Sequence, residues 1–297
     1  MGWQNLAISL PSRLYLKDRR VVIEQDETYN FPIEDISSII LETHRATLTS
    51  ALLANIAENN IVLFTCDERH LPNGIFIPLN GYCRELGKLK EQMEVSEPFR
   101  KRCWQKVIEC KIQNQAFCLH YHKKEGREEL AALSKQVESG DPGNIEGVAA
   151  KQYFGNLFGK GFTRNQPNAI NGALDYGYSI VRGIIARELV VHGFEPELGI
   201  HHCNDLNRFN LADDFVEPFR PLVDMWVYEN IRLDFEKEQK KDILKIISLD
   251  LQIKRKKQSL ANSIRIMTES FSLACGTKDF GKLELPELAG LNFHRYE

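Results

Sequence analysis

Two prolines, Pro218 and Pro221, lie in residues 199–224, "GIHHCNDLNRFNLADDFVEPFRPLVD", where a helix would otherwise continue. Because proline has no backbone N–H, a helix that reaches either residue loses the hydrogen bond to the carbonyl oxygen four residues earlier. The carbonyl oxygens of Asp214 and Glu217 are therefore left free. A kink or a break in the helix is expected at this point.

Asp214, Glu217 and Arg220 recur at steps of three in the same segment. On a helix, this spacing places the three side chains on one face, about one turn apart. Two carboxylates, a guanidinium and the freed carbonyl oxygens then converge, and oxygen ligands suit a hard divalent cation. The pattern equally fits a helix that begins after Asn210 and whose early acidic residues complement the helix dipole.

The composition limits the kind of protein that the chain can be. A length of 297 residues predicts two domains, each large enough to bury a core of its own. The seven cysteines form no CxxC pair and are odd in number, which argues against a disulfide framework and against a structural zinc site. We therefore expect a protein of the reducing cytoplasm.

Hydropathy and charge exclude two further classes. The sequence contains no apolar run of the length of a membrane span and no secretory leader pattern, so we expect neither membrane insertion nor export. The 38 basic and 41 acidic residues give a net charge of -3, which argues against a protein that coats nucleic acid through bulk electrostatic attraction. Local basic patches can still bind nucleic acid.

Residues 1–85 have the pattern of a small β-rich domain. Short apolar or β-branched runs between turn residues predict strands at LAISL, RLYL, RVVIEQ, ISSIIL and NIVLFT. One helix is predicted over residues 49–58, where apolar residues have helical spacing and Asn59-Asn60 follow. A turn at residues 79–82 closes the domain. We find no nucleotide-binding loop or catalytic cluster in this part of the sequence, and we predict a role in packing, dimerisation or docking.

Residues 86–297 change to long helical periods. An apolar stripe marks the first helix, and a second long helix is predicted from NGALDYGYSIVRGIIARELVVHG, ending at Gly193. The stripe is formed by Trp104, Val107, Ile108, Ile112 and Ala116. Residues 230–272 also have a helical pattern, and residues 280–297 look loosely structured. We therefore predict an α+β fold class, with a small β-rich N-terminal domain followed by a larger, all-α C-terminal catalytic domain.

Glu146 is a candidate acid in a separate segment. The sequence GDPG predicts a turn before Asn144, which is a typical N-cap residue, so Glu146 lies in the first turn of the following helix. An acid at this position often only complements the helix dipole, and that alternative stays open. Lys151 follows on the same helix beside two aromatic residues, which fit a core stripe as well as a platform for DNA.

Further positions are candidates for contact with phosphate or nucleic acid. Lys160 and Arg164 lie in a glycine-containing loop that is suited to phosphate contact. Tyr176 and Tyr178 are two apart on the next predicted helix, so one is expected to face the core while the other can face a ligand. The basic run KRKK at residues 254–257 fits either a solvated helix face or contact with a phosphate backbone.

Three segments, in this order, carry a resemblance to a known family: NIEGVAAKQYFGNLFG, NGALDYGYSIVRG and LGIHHCNDLNRFNLADDFVEPFRPLVD. Together they resemble the CRISPR-associated endonuclease and integrase of spacer acquisition, the first-numbered Cas protein, which inserts new spacers into a repeat array. The opening MGW, the Tyr-Gly-Tyr sequence and the segments NRFNLA and EPFRPLVD look like its type II branch. The resemblance covers nearly the whole chain and implies a β-rich N-terminal and a helical C-terminal domain.

The resemblance also implies the residues of the site. That family binds a divalent metal ion through a Glu, a His and a second acidic residue, and the matching positions here are Glu146, His202 and Glu217. Asp214 matches an accessory acidic position, and Arg220 matches a basic residue near the reacting phosphate. A donor set of two carboxylates and one imidazole, without thiolates, favours Mg²⁺ or Mn²⁺ over structural zinc.

Lys151 departs from the family pattern, because many relatives carry arginine at this position. A bidentate phosphate contact in those relatives becomes a point-charge contact here. The DNA-binding residues expected from the sequence are therefore Lys151, Lys160, Arg164, Tyr176 and Tyr178.

The activity that the resemblance implies is a DNA transesterification. The 3′-hydroxyl of a prespacer attacks a phosphodiester at the repeat boundary, with the metal ion as Lewis acid and template, and water in place of the hydroxyl gives endonuclease activity. The implied partners are double-stranded DNA, a second copy of the chain in a homodimer, the second-numbered Cas protein in a heterohexamer, and further type II adaptation factors. Two alternatives remain open: a metal-dependent, structure-selective DNA nuclease without an integrase role, and a non-catalytic DNA-binding scaffold.

Overall fold

A computed structural model describes residues 4–68, 72–79 and 85–294. The chain divides into two compact units, Met1–Cys83 and Arg84–Glu297, close to the boundary expected after residue 85. The N-terminal unit is rich in β-strands and the C-terminal unit is mostly helical, so the fold is a mixed α+β fold. Part of the expected turn at residues 79–82 and the opening MGW lie outside the described residues. In the described residues, no helix has both the length and the apolar character needed to cross a membrane.

The N-terminal unit contains two four-stranded sheets and one helix. Its elements are β1 (Gln4–Ile8), β2 (Ser12–Lys17), β3 (Arg20–Glu24), β4 (Thr28–Pro32), β5 (Ile36–Leu41), β6 (Ala46–Leu48), α1 (Ser50–Glu58), β7 (Val62–Cys66) and β8 (Pro72–Phe76). One sheet has the order β1-β5-β7-β8, with parallel β1/β5 and β5/β7 pairs and an antiparallel β7/β8 pair. The other has the order β4-β3-β2-β6, in which only the β2/β6 pair is parallel.

Local sequence explains why these elements form. Thr49 caps α1, because its side-chain oxygen accepts a hydrogen bond from the N–H of Leu52. The helix ends at Asn59-Asn60 as predicted, and Asn60 has a left-handed φ of 54°. The apolar side chains of the predicted strands form one buried cluster, which includes the fully buried Leu14 and Ile39.

The C-terminal unit contains nine helices and three strands in its described residues. They are α2 (Glu85–Glu94), α3 (Glu97–Tyr121), α4 (Arg127–Ser134), α5 (Ile145–Phe158), α6 (Ala169–Val191), α7 (Asn210–Val216), α8 (Arg220–Asn230), α9 (Lys237–Ile243), β9 (Leu249–Ile253), β10 (Lys256–Ser259), α10 (Leu260–Thr277) and β11 (Glu287–Phe293). The long helix α3 begins after a Ser96 cap, and its predicted apolar stripe is buried. Helix α6 likewise covers the second predicted long helix and is buried over most of its length.

The predicted all-α character of the C-terminal domain is wrong. Strands β10, β9 and β11 form a three-stranded antiparallel sheet within it, so residues 230–272 are not continuously helical and residues 280–297 are not uniformly loose. The reason is an alternating pattern: Leu249, Leu251 and Ile253 are apolar, stand at every second position and are buried, whereas the residues between them are polar. The basic run beside them suggests a charged helix, but it forms the turn and the start of the next strand.

The break predicted at the prolines is confirmed. Helix α7 ends at Val216, a single 3₁₀ turn covers Glu217–Phe219, and α8 begins at Arg220. The alternative, in which Asn210 is the N-cap of the helix, is wrong. Phe209 occupies the N-cap position, and its side chain makes no capping hydrogen bond. The Asn210 side chain instead bonds backbone carbonyl oxygens of the preceding loop, at Glu197 and Asn204.

We expect Ile39→Ala to lower the free energy of unfolding by about 2–5 kcal/mol, because Ile39 is fully buried and the truncation leaves a cavity. Leu10→Ala in the same unit is the control, since Leu10 is 48 % exposed and its loss should cost no more than about 0.5 kcal/mol. Urea unfolding followed by far-ultraviolet circular dichroism measures both. Equal losses in the two variants would contradict the assignment of the N-terminal core.

Candidate active site

Lys111 joins two acidic side chains from different parts of the C-terminal unit. Its ammonium group forms an ion pair with Glu146, in the first turn of α5, and lies 2.5 Å from Oε2 of Glu217, in the 3₁₀ turn between α7 and α8. The Lys111 side chain is only 7 % exposed. Two carboxylates that are 71 positions apart in sequence numbering therefore share one buried cation.

Glu146 is positioned by the turn that precedes α5. The carboxylate of Asp141 accepts hydrogen bonds from the N–H of Ile145, at 2.9 Å, and of Glu146, at 3.0 Å. The Asn144 side chain caps the helix by accepting from the N–H of Gly147, as the sequence predicts. The carboxylate of Glu146 is therefore fixed at the helix start, and 32 % of its side chain remains exposed.

Glu217 carries a buried negative charge that two cations stabilise. In addition to Lys111, the Nε–H of Arg220 donates a 2.9 Å hydrogen bond to its Oε1. Burial alone would raise the pKa of Glu217, but Arg220 and Lys111 outweigh burial and lower this pKa to about 2. Burial alone would lower the pKa of Lys111. The carboxylates of Glu217 and Glu146 outweigh burial and raise this pKa above its ordinary value. Lys111 and Glu217 are thus each held in the charged form by the opposite charge of the other.

Asp214 organises the loop that carries His202. It is fully buried, and its carboxylate accepts hydrogen bonds from the N–H groups of Ile200 (2.6 Å), His201 (3.2 Å) and His202 (3.0 Å). The same carboxylate lies 2.7 Å from Nδ1 of His202, and this hydrogen bond raises the pKa of His202. No side chain fits at Gly199, because a Cβ there would lie 2.2 Å from the carbonyl oxygen of His202.

The two neighbouring histidines have different environments. His201 stacks face to face on Trp104 at 4.1 Å between ring centroids, and burial lowers its pKa. The His202 side chain is 42 % exposed and faces a cleft of about 520 Å³, which Arg100 and Cys203 also line. With Nδ1 used in the bond to Asp214, Nε2 is the ring atom through which His202 can bind a ligand.

The predicted metal ligands are brought together only in part. Glu146 and Glu217 share a cation, whereas no three His, Cys, Asp or Glu side chains among the described residues lie close enough to form a metal-binding cluster. The position between the two carboxylates is filled by the ammonium group of Lys111. The three-ligand site of Glu146, His202 and Glu217 stays a prediction.

Arg220 is held from its other side by a buried aromatic network. Its guanidinium lies 4.5 Å from the centroid of the Tyr178 ring, and the Tyr178 hydroxyl donates to Asp224. The Tyr153 hydroxyl donates to the second oxygen of Asp224 at 3.0 Å. Asp224 is almost fully buried, and burial raises its pKa to about 6 although the two hydroxyl donors lower it in part.

Three of the predicted DNA contacts have other partners. Tyr176 and Tyr178 are both buried, so the expectation that one of them faces a ligand is wrong. The reason is that α6 is surrounded over most of its circumference, so residues two apart both meet protein. Arg164 pairs with Asp175 at 2.5 Å and packs on the Tyr178 ring. Lys151 and Lys160 are exposed, and their contact with DNA stays a prediction.

Two buried charged residues of the candidate site, Lys111 and Asp224, were missed by the sequence analysis. Lys111 lies seven residues after Trp104 and four after Val107, on the buried stripe of α3, and a lysine at such a position is a signal of a buried ion pair. Asp224 lies in the apolar run LVDMWV of α8, which is a similar signal.

The pKa of Asp224 makes a pH-dependent prediction. Its pKa of about 6 in the folded state lies above the ordinary value of 3.8, so between about pH 4 and pH 6 the folded chain binds a proton that the unfolded chain has lost. The contribution of Asp224 to stability therefore falls as the pH rises through this window. Tyr178→Phe keeps the ring beside Arg220 but removes a donor to the carboxylate, and we expect it to raise the pKa of Asp224 further.

Carbon-detected NMR of the Asp224 side-chain carboxyl measures this titration, and Asp224→Asn identifies the signal by removing it. A wild-type midpoint near pH 4, or a midpoint that moves down in Tyr178→Phe, would contradict the proposed network.

Known proteins are similar to this chain in sequence and in fold. The family model "CRISPR associated protein Cas1" matches residues 6–256. The CRISPR-associated endonuclease Cas1 of Neisseria meningitidis serogroup C is 40 % identical over 304 residues, covering 100 % of both chains. The CRISPR-associated endonuclease Cas1 1 of Francisella tularensis subsp. novicida is 23 % identical over 243 residues, covering 75 % of each chain.

Solved structures share the fold at low sequence identity. A casposase bound to integration product has a TM-score of 0.76 at 18 % identity, covering 94 % of this chain and 93 % of the casposase. A CAS1 protein from Thermotoga maritima has a TM-score of 0.75 at 16 % identity, covering 92 % and 97 %. The resemblance seen in the three sequence segments is thus confirmed over nearly the full length, and the chain belongs to the Cas1 family.

Proposed function

We propose that this chain is a metal-dependent DNA integrase and endonuclease, which inserts prespacer DNA into a CRISPR array by attack of a 3′-hydroxyl on a phosphodiester. The observation that carries the proposal is the convergence of Glu146 and Glu217 on one buried cation. The name of the Neisseria relative, an endonuclease, supports the hydrolytic activity. The casposase bound to integration product supports strand transfer within the same fold.

The donor types of the candidate site suit a divalent metal ion, although the three side chains are not clustered around one point in the described residues. Two carboxylates already hold positive charge between them, and Nε2 is the ring nitrogen that the half-exposed His202 has left for a ligand. Oxygen and imidazole donors suit Mg²⁺ or Mn²⁺. We therefore assign Glu146, His202 and Glu217 as the ligands. Bound there, the metal ion would supply Lewis acidity to the phosphodiester and its leaving oxygen.

The other side chains of the site act through the contacts described above. Asp214 fixes the ring orientation of His202 through Nδ1. Arg220 uses its Nε–H for Glu217, so its terminal N–H groups can donate to phosphate oxygens, where a guanidinium makes strong charge-assisted bonds. Lys111 holds the two carboxylates together when no metal ion is bound.

Partners follow from the reaction. Lys151 and Lys160 are exposed and contact the backbone of double-stranded DNA in this proposal.

Two insertions are needed for each new spacer, so we propose a homodimer that joins Cas2 in a larger assembly. The fold shared with a Cas6-RT-Cas1–Cas2 complex, at a TM-score of 0.73, supports this assembly. The type II branch, its further adaptation factors and a cytoplasmic location belong to the same proposal.

A strand-transfer assay tests this function. The purified chain with its Cas2 partner, Mn²⁺ and a plasmid that contains the repeat should join prespacers that carry a free 3′-hydroxyl, and it should not join prespacers with blocked 3′ ends. Glu146→Gln and Glu217→Gln should each reduce product at least about a hundredfold, because each removes a proposed metal ligand while DNA binding persists. Glu128→Gln, at an exposed glutamate of α4, is the matched control.

The outcomes separate the alternatives. Cleavage without joining would identify a nuclease that has no integrase role. DNA binding without any turnover in the wild type would identify a scaffold, and full activity in Glu146→Gln would overturn the site assignment.

Lys111 provides a test of the metal site that does not depend on turnover. Lys111→Met removes the ammonium group that occupies the position between the carboxylates, so the free protein should bind Mn²⁺ at least about tenfold more tightly by electron paramagnetic resonance titration, a gain of about 1.4 kcal/mol. Lys88→Met is the matched control, because Lys88 is also a buried lysine that pairs with a glutamate, at 2.5 Å, outside the site.

Lys111→Gln provides a second, polar variant in case Lys111→Met is poorly folded by circular dichroism. Unchanged Mn²⁺ affinity in a folded Lys111 variant would show that the carboxylate pair is not the metal site.

A further inference from the structure

The hairpin between β9 and β10 presents four consecutive cations. These residues are Lys254, Arg255, Lys256 and Lys257, and all four are exposed. None of them forms an ion pair, with N and O atoms within 4.0 Å, with an acidic side chain that the structure describes. The chain as a whole has a net charge of -3. The cluster is therefore a local concentration of positive charge and not a result of the overall composition.

The two residues at the tip of the hairpin occupy an unfavourable backbone conformation. Lys254 has a φ of 49° and Arg255 a φ of 61°, and this left-handed pair is the conformation of a type I′ turn, in which Asn-Gly is strongly preferred. A non-glycine residue in this region costs on the order of 1 kcal/mol. The tip thus carries positive charge at two positions where the backbone conformation favours a neutral Asn-Gly pair.

The tip projects from a rigid base. Strand β9 is the central strand of its sheet, between β10 and β11, and its apolar residues Leu249, Leu251 and Ile253 are buried. Helix α10 follows β10 directly and is capped by the side chain of Ser259. Because the base is packed and capped, a ligand that binds the tip does not have to order the hairpin.

We propose that this hairpin, residues 254–257, binds the sugar-phosphate backbone of duplex DNA as a contact separate from the carboxylate site. The inference rests on the proposed function, which makes DNA the substrate. Duplex DNA presents a dense and regular array of negative charge, to which clustered Lys and Arg side chains are complementary. The cluster consists of three lysines and one arginine and contains no aromatic residue. This composition favours contacts with phosphates, which position a protein on DNA, over recognition of the base sequence.

Two acidic residues limit where the DNA can lie. Glu284 and Glu287 line a cleft of about 470 Å³ together with Lys254 and Arg255. Their carboxylates repel a phosphate group inside this cleft. We therefore assign the contact to the turn itself and to the exposed side chains of Lys256 and Lys257, and not to the cleft.

Replacement of the turn by its preferred sequence tests the proposal. The double variant Lys254→Asn/Arg255→Gly should be at least as stable as the wild type, because Asn-Gly suits the turn. Its affinity for a linear 40-base-pair duplex should fall on the order of tenfold or more at 0.1 M salt, and the slope of log affinity against log salt should decrease by about two. Fluorescence anisotropy across a salt series measures both quantities.

The chain offers a control that matches this variant in charge and in backbone conformation. Lys123 and Lys278 are exposed lysines that each have a φ of 55°, at the ends of α3 and α10. Lys123→Asn/Lys278→Asn removes two positive charges from left-handed positions, and it should leave the salt slope unchanged. The exchange Lys254→Arg/Arg255→Lys keeps the charge of the tip and should keep the wild-type slope.

The results distinguish failure of the hairpin from failure of the proposed function. Equal salt slopes in the wild type and in a folded Lys254→Asn/Arg255→Gly variant would overturn the hairpin contact alone, as would an equal loss of slope in the Lys123/Lys278 control. A wild-type chain that binds no duplex at any salt concentration would overturn the proposed function as well.

Discussion

The ion pairs of Lys111 with Glu146 and Glu217 are the interaction on which the candidate site depends. A buried ammonium group is costly unless carboxylates neutralise it, and breaking one side of such an arrangement leaves an uncompensated charge. The packing of α3, the start of α5 and the turn after α7 must therefore all bring their side chains to one point. A movement of any one of these three elements would expose a charged side chain or leave it buried without its partner.

The proline break and the Asp214 loop serve the same requirement. A continuous helix would carry Glu217 and Arg220 on one straight face, whereas the 3₁₀ turn at Glu217–Phe219 separates α7 from α8 and directs Glu217 toward Lys111. One turn earlier, the buried carboxylate of Asp214 accepts hydrogen bonds from the backbone N–H groups of the loop that carries His202. Local backbone chemistry at the end of one helix thus determines the position of two side chains of the candidate site.

The sequence predicts the parts of this arrangement that local chemistry controls. The break at Pro218 and the Asn144 cap follow from missing or satisfied N–H groups, and both form as expected. Lys111 could not be assigned from local pattern alone, because its partners come from distant segments, although its place on an apolar stripe was a signal. The β9 strand was missed because the neighbouring basic run outweighed a short alternation of apolar residues.

If the proposed function holds, the pairing of charges at the site bears on how DNA reaches it. The ammonium group of Lys111 lies against both carboxylates of the candidate site, and the guanidinium group of Arg220 lies against that of Glu217, so each carboxylate has a cation beside it. Cations that are paired with carboxylates attract a polyanion at a distance less than unpaired cations do, so the proposed function assigns the first encounter to exposed cations such as Lys151 and Lys160. In the proposed function, the first capture of DNA and the reaction on DNA therefore depend largely on different residues.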